Sequence, residues 1–270
     1  MLDDLRIRTG IDFAQYGTES LSRRLNRLLP ELGLRRLESL PTHLDAHPWL
    51  CATVIERITV NVTSMFRDPE AFAALYRFWL AQPLPEDYRV WVSACSTGEE
   101  IWSLCVLWQA LGWTDRVSVW GTDLSDRAIE RAGSCRIRLK QIPDYQKEFN
   151  AFQALVEWKG ATQLTHYFER VQGEDALLNE DCRPRLSMGY DHLGEPSGPQ
   201  GPFDLICCRN VLIYFEHSLQ SRVFEKLDSR LRPQGLLFLG IRESLLYHPG
   251  SEAYHEVESD RRLYRKHPIS

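Results

Sequence analysis

RVWVSACSTGEE, residues 89–100, decides the fold. Its first seven residues read as a strand, and STGEE turns the chain into an apolar helix running from about Glu99 to Leu111. A second strand, VSVWGTD, ends at Asp123, and Ser125 with Asp126 opens another helix. Further on come RLSMGYD (185–191), FDLICCRNVLIYF (203–215), a helix near 218–231, the turn RPQG, the strand LLFLG and a last alternating segment, RRLYRKH. Strands that alternate with helices build an α/β fold, a doubly wound and mostly parallel sheet covered on both faces. Ligands of such sheets bind beyond the carboxyl ends of the strands, where the strand order reverses. The polar residues at those ends are Ser96 to Glu100, Asp123, Asp191, and Arg209 with Asn210.

Upstream, residues 1–80 carry leucines at helical spacing and no alternating strand, which predicts a helical N-terminal domain with its linker. The Pro-rich AQPLPEDY, residues 81–88, places the boundary to a second domain over 81–270. The clearest early helix follows Thr18, a suitable N-cap, and runs ESLSRRLNRLL to Pro30. Leu21, Leu25, Leu28 and Leu29 share one face; Arg23, Arg24 and Arg27 share the other. That arginine face reads either as a solvated helix surface or as a docking face for an acidic partner, and Arg35 and Arg36 extend its charge. Residues 134–186 mix short alternating segments with turn residues and predict a small appended subdomain.

Composition excludes several classes. With 43% hydrophobic and 11% aromatic residues in 270, the chain has material for a packed core. It contains no apolar stretch of the roughly 18–20 residues that cross a bilayer, and MLDDLRIRTG lacks the pattern of a signal segment, so a cytoplasmic protein without membrane insertion is expected. A formal charge of −5 argues against a protein that coats nucleic acid. Seven scattered cysteines without CxxC spacing predict reduced thiols and no structural metal.

The strand ends suggest chemistry. An acid closing the second strand, as Asp123 does, can accept hydrogen bonds from both hydroxyls of a ribose. The first turn holds one glycine, Gly98, instead of the GxGxxG that admits a pyrophosphate, which disfavours a dinucleotide. Glu99 and Glu100 would repel a phosphate and attract a cation, although they also suit the positive end of a helix dipole. An adenosine carrying positive charge, S-adenosylmethionine, satisfies these constraints. Arg209 and Asn210 emerge from the strand FDLICC, and Tyr214 follows about one turn later, so all three can border one crevice, or simply anchor a loop. In ITVNVTSMFRDPEAF (58–72), Asp68 and Pro69 read as a helix start, and Asn61, Thr63 and Arg67 precede it where they can close over a ligand.

Together NVTSMFRDP, RVWVSACSTGEE, GTDLSDRAIERA and FDLICCRNVLIYF with RPQGLLFLG resemble the CheR family, chemoreceptor glutamate methyltransferases that use S-adenosylmethionine. TGIDFAQYGTESLSRRLNRLL resembles that family's small helical domain, so the likeness covers most of the chain. The resemblance implies an S-adenosylmethionine-dependent methyltransferase fold with a small inserted β-subdomain, methyl-ester formation on a chemoreceptor-like partner in membrane receptor arrays, and S-adenosylhomocysteine as product. It also implies that Asn61, Thr63 and Arg67 contact the cofactor or its methyl-donor end, Glu100 or Glu99 meets the methionine or ribose portion, and Asp123 holds the ribose. Asp191 and His192 stand where the family has an asparagine–leucine pair near the adenine, Arg209 and Asn210 match its CRN, and Tyr214 its tyrosine beside the transferring methyl; Arg67 and Tyr214 become the catalytic candidates. The departures are Met65 for a phenylalanine, Ile101 and Trp102 in EEIWS, and Ile241 and Arg242 in GIRES, which predict an altered shape near the cofactor. The same strands would serve a methyltransferase of another substrate, and the same pocket a non-catalytic nucleoside-sensing module.

Overall fold

The computed structural model describes residues 2–59, 63–83, 86–246 and 248–268. The chain begins with helices α1 (Leu2–Thr9), α2 (Thr18–Glu31), α3 (Leu40–Ala46) and α4 (Leu50–Ile58), followed by α5 (Pro69–Leu80). Leu21, Leu25, Leu28 and Leu29 of α2 are buried, each contributing about 1.5–3 kcal/mol relative to exposure, while Arg23 and Arg27 face solvent. The N-cap of α2 is Gly17, with Thr18 the first helical residue, and Pro30 lies within the last turn. A proline there forfeits one hydrogen bond without stopping the helix at once.

The rest alternates as the sequence predicts: β1 (Tyr88–Ser93), α6 (Glu99–Leu111), β2 (Val117–Asp123), α7 (Asp126–Gly133), then β3 (Arg136–Arg138), α8 (Ile142–Gln153), β4 (Phe168–Arg170) and β5 (Asp175–Leu178). The chain continues with β6 (Arg185–Tyr190), β7 (Phe203–Cys208), α9 (His217–Arg230), β8 (Leu231–Leu239), β9 (Tyr254–Glu256) and β10 (Leu263–Lys266). The main sheet has the order β6-β2-β1-β7-β8-β10-β9. Its first five strands are parallel, and β10 runs antiparallel to both β8 and β9. Strands β3, β5 and β4 form a separate antiparallel sheet in that order, within the stretch read as an appended subdomain.

Alternation along the strands divides the core. Val90 and Val92 of β1, Leu205 and Cys207 of β7, and Leu236 and Phe238 of β8 join one apolar cluster with α5 and α6. Trp91, Phe203, Ile206, Cys208, Leu237 and Leu239 join the other, with α9 and the N-terminal helices. Both faces are therefore covered, as a parallel sheet requires. Helix α5 lies upstream of the Pro-rich break, yet Phe72, Leu75, Tyr76 and Trp79 pack into the first cluster beside β1. The N-terminal helices meet the sheet at a seam where Tyr16 bridges Phe215, the Gly17 amide donates to the Tyr214 carbonyl at 2.8 Å, and the Glu216 amide donates to that of Gln15 at 2.9 Å.

Candidate active site

The strand order reverses at β1, which lies between β2 and β7. Beyond the carboxyl ends of these strands and β6 opens a cleft of about 1140 Å³, solvent at its mouth included. A single nucleoside with a short side chain fits within it. The β1–α6 turn forms its floor through left-handed residues: Ala94 (φ 49°), Ser96 (φ 51°) and Gly98 (φ 101°). A β-carbon on Gly98 would come within 2.9 Å of both Ala132 Cα and Trp102 Cε2, so packing as well as φ demands glycine. The turn aims the Ser96 amide at Asp123 Oδ2, 2.9 Å away, and the Ser125 amide holds Oδ1 at 3.0 Å. Ser125 also caps α7, accepting from the Ala128 amide. Asp123 has no cationic partner among the described residues, and burial pushes its pKa up against the opposing pull of those amides.

The two glutamates of the turn part company. Glu100 lines the cleft; its Oε2 accepts from Arg209 Nη1 at 2.8 Å, and Oε1 is bonded to no described residue. Glu99 is buried away from the cleft, accepting from the Thr97 hydroxyl at 2.6 Å and the Tyr145 hydroxyl at 3.0 Å. One residue of helix, about 100° of rotation, separates the two directions.

Arg209 is pinned more firmly than a ligand contact requires. Its side chain is 1% exposed, and Nη2 donates to the Arg67 carbonyl at 2.8 Å and Asp68 Oδ2 at 3.0 Å. The rings of Phe72 and Phe238 lie 5.0 and 4.4 Å from the guanidinium carbon. Asp68 thus sits at the N-cap of α5 without capping it: its backbone is left-handed (φ 59°) and its carboxylate goes to Arg209 instead. The preceding loop is tied to α6, because Ser103 Oγ accepts from the Phe66 amide at 2.9 Å and donates to the Glu99 carbonyl at 2.7 Å. Thr63 and Arg67 from this loop line the cleft; Asn61 lies outside the described residues. Met65, Ile101 and Trp102 are fully buried in the core and form none of the cleft wall, while Ile241 and Arg242 are exposed beyond it. None of these five side chains lines the cleft itself.

After β7 the chain coils, as the Tyr214 reading requires, into a short 3-10 turn, Leu212–Tyr214. Glu243 holds that turn. This buried carboxylate accepts from the amides of Asn210, Val211, Leu212 and Gly240 at 2.7–2.8 Å, and burial pushes its pKa up. Asn210 (φ 60°) and Tyr214 consequently face the cleft. Across the seam Arg24 leaves the arginine face of α2: its Nη1 donates to the Ile58 carbonyl at 3.0 Å and its guanidinium carbon lies 5.1 Å from the Tyr214 ring centroid. Arg24 lines the cleft with Tyr16, Ser20 and Leu21. Sequence spacing alone grouped it with Arg23 and Arg27.

At the far end stand Asp191 and His192. Both Asp191 oxygens accept from Lys226 Nζ, at 2.8 and 3.0 Å, so this acid is held by α9. His192 lines the cleft, with neither ring nitrogen bonded to any described residue. Lys226, Glu243, Tyr16 and the inward turn of Arg24 were not singled out from the sequence. Only Glu243 had a local signal, its place in GIRES.

Two family models match in succession: CheR methyltransferase, all-alpha domain, over residues 1–59, and CheR methyltransferase, SAM binding domain, over residues 61–261. The chain belongs to the CheR methyltransferase family. It is 31% identical to the chemotaxis protein methyltransferase of Salmonella typhimurium over 88% of this chain and 80% of that one. It is also 25% identical to the putative methyltransferase Cher3 of Pseudomonas putida, over 98% and 95%. A probable biofilm formation methyltransferase, WspC of Pseudomonas aeruginosa, matches at 30% over 90% of this chain and 56% of its own length. The protein is an S-adenosylmethionine-dependent methyltransferase. No described helix is long and apolar enough to cross a membrane.

The site fits the cofactor of a CheR enzyme. Among the described residues, a buried acid without a cationic partner and a second carboxylate with one unbonded oxygen lie along one cleft, a donor set suited to a nucleoside's hydroxyls and a cationic amino-acid tail. Replacing Asp123 with alanine is expected to weaken S-adenosylhomocysteine binding by about 1.5–3 kcal/mol, the worth of a hydrogen bond to a charged group. Calorimetric titration reads this directly, and affinity unchanged in the variant would remove Asp123 from the site.

Proposed function

We propose that this protein methylates glutamate side chains of a chemoreceptor-like signalling protein, forming methyl esters and leaving S-adenosylhomocysteine. The observation that carries the reading is that Arg67, Tyr214, Glu100 and Asn210 line the same cleft as Asp123, beyond the carboxyl ends of β1, β2 and β7. The names of the chemotaxis relatives support the acceptor class. Recruitment to receptor arrays and work in the cytoplasm follow from that acceptor.

Bound S-adenosylmethionine supplies an electrophilic methyl carbon on a cationic sulfur. Asp123 would hold the ribose, Glu100 Oε1 and the Asn210 side-chain amide the amino-acid tail, and Thr63 would close over it. A glutamate acceptor, with pKa about 4.3, is already ionised at neutral pH, so no general base is needed. The protein's task is alignment and exclusion of water from a weak nucleophile. Arg67 orients the acceptor carboxylate; Tyr214, fixed by the Glu243-bound turn beneath it and Arg24 above, lines the methyl path and donates a hydrogen bond. Arg209 sets Glu100 and the Arg67 loop in place and acts on the reaction through them.

Incubation with methyl-tritiated cofactor and an acidic receptor fragment should label protein that releases volatile methanol in alkali. Tyr214→Phe should lower turnover about 10- to 100-fold, the loss of one hydrogen bond to charge, with cofactor affinity preserved. Label that stays alkali-stable would replace the carboxylate acceptor with a nitrogen one.

A further inference from the structure

Helix α8, in the stretch that the sequence marks as an appended subdomain, reaches the β1–α6 turn from behind the cleft. Tyr145, buried on this helix, donates a hydrogen bond from its hydroxyl to Glu99 Oε1 at 3.0 Å, and the Thr97 hydroxyl donates to Oε2 at 2.6 Å. Glu99 is 3% exposed, and no cation among the described residues pairs with it. A buried charge is ordinarily met by a counter-ion; here two neutral hydroxyls and the positive end of α6 do that work. Burial, and then the Glu99 charge, push the Tyr145 pKa up, so the phenol stays protonated and donates. Glu99 is tied a second time through its backbone, because Ser103 Oγ donates to its carbonyl and accepts from the Phe66 amide. The Phe66 ring then returns to α8, its centroid 4.7 and 5.1 Å from those of Phe149 and Phe152. A closed circuit thus runs from α8 through Glu99, Ser103 and Phe66 back to α8. Two of its members are next in sequence to residues of the cleft, Glu99 to Glu100 and Phe66 to Arg67.

We propose that Tyr145 is a positioning residue for the methyl transfer: its bond to Glu99 fixes the first turn of α6 so that Glu100 presents Oε1 to the amino-acid tail of the cofactor. This rests on the reading of Glu100 as the tail's partner and adds to it the element that aims it. The two glutamates are successive residues of one helix, about 100° apart, so whatever holds the first carboxylate behind the turn sets the direction of the second. Thr97 cannot do this alone, since it belongs to the turn that has to be fixed. Only the phenol refers the Glu99 side chain to a separate element. The Phe66 contacts do not involve that hydroxyl and keep the Arg67 loop in place without it, so its removal acts on the tail's affinity. The inserted subdomain is then part of what shapes the cleft.

The test is calorimetric, on the full chain, with S-adenosylhomocysteine and with 5′-methylthioadenosine, which has the nucleoside but no amino-acid tail. Tyr145→Phe keeps the packed ring and removes the donor. It should bind S-adenosylhomocysteine about tenfold more weakly, the worth of a hydrogen bond to a charged group, and 5′-methylthioadenosine as the native protein does. A fold loosened at large would weaken both ligands alike. In a Glu99→Gln background, where the charged acceptor is gone, adding Tyr145→Phe should cost less than about twofold further, because the two changes break one interaction. Native affinity for S-adenosylhomocysteine in Tyr145→Phe, equal losses for the two ligands, or full additivity with Glu99→Gln would overturn the role of Tyr145 and leave the nucleoside cleft standing. A native protein that binds both ligands equally well would overturn the Glu100 reading together with this one, and a native protein that binds neither would overturn the nucleoside cleft as well.

Discussion

Arg209→Leu should lower stability by about 3 kcal/mol and shift the melting temperature down by roughly 6–12 °C, making it one of the two most damaging single changes considered. Leucine fills much of the space between Phe72 and Phe238 but leaves Glu100 and Asp68, at 14% and 18% side-chain exposure, without their shared cation. The figure sits at the low end for a broken buried pair because both carboxylates retain some water. The Arg67 carbonyl also loses its donor, so the loop carrying Thr63 and Arg67 should loosen and cofactor affinity fall with stability. Arg209→Lys keeps the charge but cannot span Glu100, Asp68 and the carbonyl together, and should recover only part of the loss. Chemical denaturation checks this: a variant with the native midpoint would mean that the arginine holds nothing together and is only a ligand contact.

Glu243→Ala should cost about 4 kcal/mol, near the upper limit for a single residue. Four backbone amides lose their acceptor at once, and a buried unsatisfied donor costs about 1–3 kcal/mol; those of Asn210 and Val211 lie beside the cleft and can reach water, which keeps the sum below four full penalties. Because the carboxylate orders the turn that positions Tyr214, turnover should fall further than Tyr214→Phe alone produces. Hydrogen exchange gives an independent readout. The amides of Val211 and Leu212 should lose protection by orders of magnitude in the alanine variant and less in Glu243→Gln, which keeps one strong acceptor. Native protection at these amides after the alanine change would show that the turn is held by other contacts.

Much of this was written locally. The parallel sheet followed from strands spaced by amphipathic helices, and β1, β2 and β7 fell where their apolar runs placed them, because burial on both faces leaves a signature in every residue of the strand. That Asp123, Glu100, Asn210 and Tyr214 border one cleft was legible for a related reason: the carboxyl end of a parallel strand is a fixed address for a cleft, whatever the rest of the chain does. Short β9 went unread, since three residues carry too little alternation to stand out.

What residue order left open were the partners. Arg209 was visible as a polar residue at a strand end, but its capture by Glu100 and Asp68 joins positions 109 and 141 residues apart. Asp191 was visible as an acid at a strand end, yet Lys226 claims it from 35 residues downstream. Glu99 and Glu100 were interchangeable until the helix was oriented on the sheet, and Arg24 shared a stripe with Arg23 and Arg27 until the seam at Tyr16 and Phe215 turned it toward Tyr214. Periodicity encodes which face of an element is apolar, and that is enough to choose the architecture. Which charged side chain meets which is decided by packing angles and long-range approach, to which no local pattern is sensitive, so the cleft could be located from the chain alone while the pairing of the charges around it emerged only in three dimensions.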